Sequence, residues 1–148
     1  MTDGKRYTLD TSAVVAYFEN EPGADQVERI LGRARIGGVE VNASFMTFME
    51  MLYRVWSRHG EQEGKAAYLR LKALPLECVE PNERLLVAAA RIKASHALSV
   101  ADAWIAATAR TTRAKLVHKD PEFRTLGREV AVLELPFKAR QRHLRSTT

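Results

Sequence analysis

Along the chain, short apolar runs of strand length alternate with longer stretches whose apolar residues recur every three or four positions, as strands interleaved with amphipathic helices do. Tyr7-Thr8-Leu9 is the first run; it ends at Asp10 and passes through Thr11-Ser12 into a helix over 13–19, stopped by Pro22-Gly23. Val27, Ile30, Leu31 and Ala34 place a helix over 24–35, and Gly37-Gly38 ends it. A strand at 39–43 leads to a helix over 44–59, in which Phe45, Phe48, Met49, Leu52 and Trp56 form one stripe. Then come a helix at 61–74, a strand at 76–79, a helix at 82–95 capped by Asn82, and a helix at 99–113. Strands at 115–118 and 130–135 complete the pattern, with Asp120-Pro121 marking a turn and the start of a short helix between them.

Strands separated by helices require right-handed crossovers, so the pattern predicts an α/β fold: a three-layer α/β/α sandwich on a mainly parallel five-stranded sheet. No repeat or linker divides it, which makes residues 1–136 one domain and 137–148 a tail. That tail carries Lys138, Arg140, Arg142 and Arg145 and no acid, so most of the formal +5 net charge is terminal. It reads equally as a solvated end or as an arm for phosphates. With 46% hydrophobic and 28% charged residues, the chain is not of the disordered or low-complexity kind. The longest apolar runs, 13–18 and 85–90, fall far short of a membrane span. Lys5-Arg6 before an apolar stretch does not make a signal peptide, because Asp10 interrupts it. The single cysteine, Cys78, suits a reducing cytoplasm and reads as a buried structural thiol.

In open α/β folds ligands collect beyond the carboxyl ends of the strands, so polar residues at strand-to-helix junctions carry the most information. Three of the five aspartates stand there. Asp10 could simply cap the first helix; Asp102 lies three residues after Ser99, as in a capping box, yet heads the Ile105, Ala106, Ala109 face that presses on the core. Asp120 could initiate the turn at Pro121. Glu50 sits off the apolar stripe of its helix, where an exposed glutamate or a pairing with Thr47 is the ordinary reading. Each acid alone has a local explanation; their conjunction does not. Carboxylates gathered at one end of a sheet repel unless protonated or bound to a cation, and oxygen-only ligation selects Mg²⁺ or Mn²⁺. Such a centre activates water and offsets phosphate charge, the requirements of phosphodiester hydrolysis. No phosphate-binding glycine loop is present, and the four histidines, His59, His96, His118 and His143, lack metal-ligand spacing and read as surface or satisfied residues.

Leu9-Asp10-Thr11-Ser12-Ala13, Glu50 within Phe48-Met49-Glu50-Met51-Leu52-Tyr53, Asp102 within Leu98-Ser99-Val100-Ala101-Asp102-Ala103-Trp104, and Lys119-Asp120-Pro121-Glu122-Phe123 together resemble a PIN domain. Their order and spacing are most similar to the VapC toxins of type II toxin-antitoxin systems. The resemblance implies a PIN-like fold and a Mg²⁺- or Mn²⁺-dependent endoribonuclease that cuts structured RNA, often tRNA or rRNA. It makes Asp10, Glu50, Asp102 and Asp120 the catalytic quartet, Asp10 and Asp102 the direct metal ligands, and Ser12 a supporting hydroxyl. It further implies a homodimer and a VapB-like antitoxin whose C-terminal segment blocks the cleft. Phe45, Phe48, Met49, Tyr53 and Trp56 could line a groove for that segment, although their helical spacing favours core packing. One departure is His118-Lys119 before Asp120, where a hydroxyl residue and Arg are more usual. Competing readings are a PIN nuclease for RNA processing without an antitoxin, an aspartyl phosphatase, and a non-enzymatic RNA-binding or receiver-like module. The phosphatase wants a second carboxylate where Ser12 stands, and the receiver wants an aspartate after the middle strand, where Val79-Glu80-Pro81 has none.

Overall fold

A computed structural model describes residues 4–137; the basic stretch expected at 137–148 lies, from residue 138 on, outside the described residues. The strands are β1 (Arg6–Leu9), β2 (Glu40–Ser44), β3 (Glu77–Val79), β4 (Lys115–His118) and β5 (Val132–Glu134). The helices are α1 (Thr11–Phe18), α2 (Ala24–Arg35), α3 (Phe45–His59), α4 (Glu61–Lys72), α5 (Glu83–Ser95) and α6 (Val100–Thr111), with a 3₁₀ turn at Pro121–Leu126. All four strand pairings are parallel, in the order β3-β2-β1-β4-β5. This is the expected sandwich. No described helix is long and apolar enough to cross a membrane.

The helix starts follow from side-chain caps. Asp10 accepts from the Ser12 amide, Ser44 from Met46, Asn82 from Leu85 and Ser99 from Asp102, each satisfying an amide that the first turn leaves without a backbone partner. Because Asp10 takes the cap position, α1 begins at Thr11, two residues before its apolar stretch. At the other extreme α4 stops two residues short of the predicted 74, because Pro75 drives Leu74 out of the helical region.

Alternation along the strands divides the core between the two faces of the sheet. Val117 joins Leu9, Val14, Val27, Leu31, Val41 and Phe48 on one side, while its neighbour Leu116 joins Leu85, Ile92, Ile105, Ala106 and Phe123 on the other. Helix α3 packs closely along α4, and Gly64 is the point of contact: a Cβ there would lie 2.8 Å from Trp56 Cβ and 2.9 Å from the Leu52 carbonyl oxygen. The stripe predicted for α3 is therefore only partly core. Phe48 is buried, whereas Met49 and Trp56 of the stripe are 47% and 42% exposed, as is Tyr53 beside it at 46%. Helical spacing defines a face; it does not supply the neighbour that covers it.

Candidate metal-dependent nuclease centre

β1 lies at the middle of the sheet, between β2 and β4: the chain runs outward from it through β2 to β3 on one side and then crosses back to β4 and β5 on the other. The crevice where such a sheet reverses its winding opens at the carboxyl ends of β1 and β4, where ligands bind in open α/β sheets. Asp10 follows β1 and donates its amide to the Val117 carbonyl at 2.9 Å; Asp120 follows β4 by two residues. The two acids flank the crevice.

Asp10 is 4% exposed. Its carboxylate accepts from the Ser12 amide at 3.1 Å and from the Ser12 hydroxyl. Burial pushes its pKa from 3.8 up to about 7; the Ser12 hydrogen bonds pull it down, and the negative fields of Asp102 and Glu50 push it up. Ser12 Oγ also accepts from the Lys119 amide at 2.9 Å, so one hydroxyl ties the first junction to the segment that carries Asp120. Asp10 does cap α1, and the same placement sets its carboxylate at the carboxyl end of β1.

Asp102, in the first turn of α6, is half-buried, with a pKa raised to about 6 by burial and then by Asp120 and Glu50. Its amide donates to Ser99 Oγ at 3.1 Å, as the capping reading required. Asp120 accepts from the Glu122 amide at 2.9 Å. Oxygens of Asp102, Asp120 and Glu122 lie within 4.8 Å of one another, a spacing that a single cation could bridge. Glu122 was not singled out by the sequence, where it is only an acid in the first turn after Pro121.

Glu50 is not the exposed glutamate that its place off the stripe suggested. It is 7% exposed, with Oε1 accepting from Thr11 Oγ1 at 2.7 Å and Oε2 from Arg54 Nη2 at 3.1 Å. Thr47 does not pair with Glu50; its hydroxyl lies 3.2 Å from Thr11 Oγ1. With both oxygens held by the protein, Glu50 acts on the site through its charge and its grip on Thr11, beside Asp10. Thr11 and Arg54 carried no distinguishing signal beyond adjacency to acids.

His118 corrects the reading of the histidines as surface or satisfied. It is fully buried, its Nδ1 accepts from the Asp120 amide at 3.1 Å, and its Nε2 has no hydrogen-bond partner among the described residues. Burial pushes its pKa down, so the ring is neutral with the proton on Nε2, packed edge-on against Phe123. Where the family pattern places a hydroxyl, this chain uses a ring nitrogen to hold the Asp120 backbone. Lys119 turns away, its Nζ 3.5 Å from Glu21 Oε1.

The carboxylate donors gathered here are all oxygens, and burial together with neighbouring carboxylates raises the pKa values of Asp10 and Asp102, a donor set that fits Mg²⁺ or Mn²⁺. Comparison with known proteins agrees with the fold. A VapBC complex bound to DNA from Salmonella typhimurium matches with a TM-score of 0.72 at 18% identity, covering 88% of this chain and 98% of that one. VapBC2 from Rickettsia felis, bound to a promoter DNA fragment, gives 0.71 at 15%, covering 88% and 99%. A sarcin–ricin-loop-cleaving VapC toxin from Mycobacterium tuberculosis gives 0.62 at 19%, covering 88% and 99%. No curated protein matches the sequence. A family model described as the PIN domain matches residues 7–129, most of the chain, and the protein belongs to the PIN-domain family.

Proposed function

We propose that this protein is a Mg²⁺- or Mn²⁺-dependent endoribonuclease acting on tRNA or rRNA, the toxin of a VapBC-type pair in the cytoplasm. The observation that carries the reading is the crevice itself: Asp102, Asp120 and Glu122 bring carboxylate oxygens within 4.8 Å of one another at the reversal point of the sheet, and Asp10, buried at the end of β1, lies near enough for the charge of Asp102 to raise its pKa. Asp10 and Asp102 would hold the metal, with Asp120 completing the set. When bound, the cation supplies positive charge opposite the phosphate and acidifies a water for attack. Ser12 orients Asp10 and fixes the Asp120 segment, and Glu50 holds Thr11 in place beside Asp10. The domain spans 1–136, with the basic tail at 137–148 available to phosphates.

Two surfaces support the partners. A groove of about 450 Å³ between α1, α3 and α4 has an apolar floor of Val15, Phe18, Met51 and Val55 and a rim of mixed charge, with Glu19, Glu21 and Glu63 beside Arg54, Arg58 and Arg70, which suits an antitoxin segment that buries apolar residues. Met49, Tyr53 and Trp56 on α3, with Leu86 on α5 and Val100 on α6, expose apolar area that suits a homodimer. The similar solved structures include toxin–antitoxin complexes.

The test is sequencing of RNA ends after incubation of purified protein with total RNA, with Mn²⁺, with EDTA, and with the Asp102→Asn protein. Discrete new ends are expected with Mn²⁺ only, and none from Asp102→Asn. Cleavage in excess EDTA would refute metal dependence.

A further inference from the structure

The end of the molecule opposite the acidic crevice carries a second charged feature. Helix α6 runs away from Asp102, and Arg110, eight residues on, lies about 12 Å further along its axis. Arg110 lines two adjoining troughs. One, of about 620 Å³, lies between α5 and α6 and is lined by Arg84 and Arg91; the other, of about 390 Å³, reaches the start of β4 and is lined by Arg113 and Lys115. The carboxylates lining the two are Glu83 and Glu129. Glu129 is already engaged by both Arg110, at 2.7 Å, and His96, at 2.6 Å.

Outside the troughs, Arg35, Lys65 and Arg124 are each matched to a glutamate, at Glu28, Glu61 and Glu134, while Arg29, Arg58, Lys93 and Arg128 are exposed without an ion pair among the described residues. Arg6, which lines the second trough, pairs with Glu40. Arg84, Arg91, Arg113 and Lys115 are exposed and form no ion pair among the described residues. Unmatched cations along a concave surface repel one another in the free protein, and a polyanion relieves that repulsion while releasing its own counterions. The arginines are strung along two troughs rather than gathered round one pocket, which fits a chain of phosphates better than a single anion.

We propose that this basic double trough is an RNA-binding exosite, which grips the phosphate backbone of a folded RNA substrate at a distance from the crevice where it is cut. The proposal rests on the ribonuclease reading for its ligand. It implies that recognition of a large RNA is shared between two ends of the domain, and that a short oligonucleotide filling the crevice alone gains nothing from the trough.

The experiment measures binding of labelled tRNA, a short single-stranded oligoribonucleotide and a duplex DNA to the Asp102→Asn protein over a range of salt. Arg84→Gln, Arg91→Gln and Arg113→Gln are then added together. Three lost phosphate contacts should flatten the log-affinity against log-salt slope for tRNA by about 2 to 3. Oligonucleotide binding should not change. A matched variant, Arg29→Gln, Arg35→Gln and Lys65→Gln, carries the same charge change on α2 and α4 and should keep the parent slope. Equal flattening in the matched variant, unchanged tRNA binding in the trough variant, or equal loss for duplex DNA would overturn the proposal. If the wild-type protein leaves RNA intact with Mn²⁺ while the trough variant still loses tRNA, the nuclease reading fails and the exosite stands.

Discussion

Replacing Asp10 by Asn should make the metal-free protein more stable at neutral pH while destroying its ability to respond to metal. The carboxyl is buried and titrates near 7 in the folded protein against 3.8 for an ordinary aspartate. Between those values the folded state holds a proton that the unfolded chain has released, so metal-free stability falls as the pH rises from about 4 and levels off above 7. Moving the pKa that far corresponds to at most about 4 kcal/mol. The amide of Asn carries no charge to desolvate, and its oxygen can still accept from the Ser12 amide. In EDTA at pH 8 the Asp10→Asn protein should therefore melt up to roughly 10 °C above wild type, with the two converging towards pH 4. Adding Mn²⁺ should raise the wild-type melting temperature, and should leave the variant where it was, because a bound cation stabilises only the state that holds it. Thermal melts across pH 4 to 8, with EDTA and with Mn²⁺, decide the matter. Parallel pH profiles for the two proteins in EDTA would refute the assignment of this penalty to Asp10.

Packing and burial yield two more expectations. Gly64→Ala forces a methyl group against Trp56 and the Leu52 carbonyl, and should cost about 1–3 kcal/mol in urea unfolding, whereas Gly32→Ala, with open space around it, should cost nothing of the kind. Cys78 has its pKa pushed up to about 11, chiefly by burial and then by Glu80, so at pH 8 its alkylation by iodoacetamide should be on the order of a hundredfold slower than that of free cysteine.

The sheet and the junction acids were legible because both depend on short-range rules. Apolar alternation marked the strands, Asn82 and Ser99 announced their helices, and Asp10 and Asp120 stood where strands give way to turns. What was not legible depends on which helix faces find neighbours. Glu50 looked exposed because the pattern of α3 offers one apolar stripe, yet the helix turns its opposite edge towards Thr11 and the crevice. For the same reason Met49, Tyr53 and Trp56, placed on the stripe or beside it, remain open to solvent. His118 broke a different expectation: a buried ring with one unpartnered nitrogen is a cost that no local pattern discloses, and it persists here because the other nitrogen holds the Asp120 amide.

The central place of β1 has a consequence for the timing of synthesis. The chain is made from its N-terminus, so β1, β2 and their helices are available early, while β4 arrives more than a hundred residues after β1. Until β4 pairs along Tyr7–Leu9, the Asp10 amide has no Val117 carbonyl to bind and Ser12 has no Lys119 amide. A nascent or truncated chain ending before Lys115 holds Asp10, Glu50 and Asp102 but no crevice and no Asp120. A PIN-domain protein built in this order has no assembled crevice until nearly the last strand is in place.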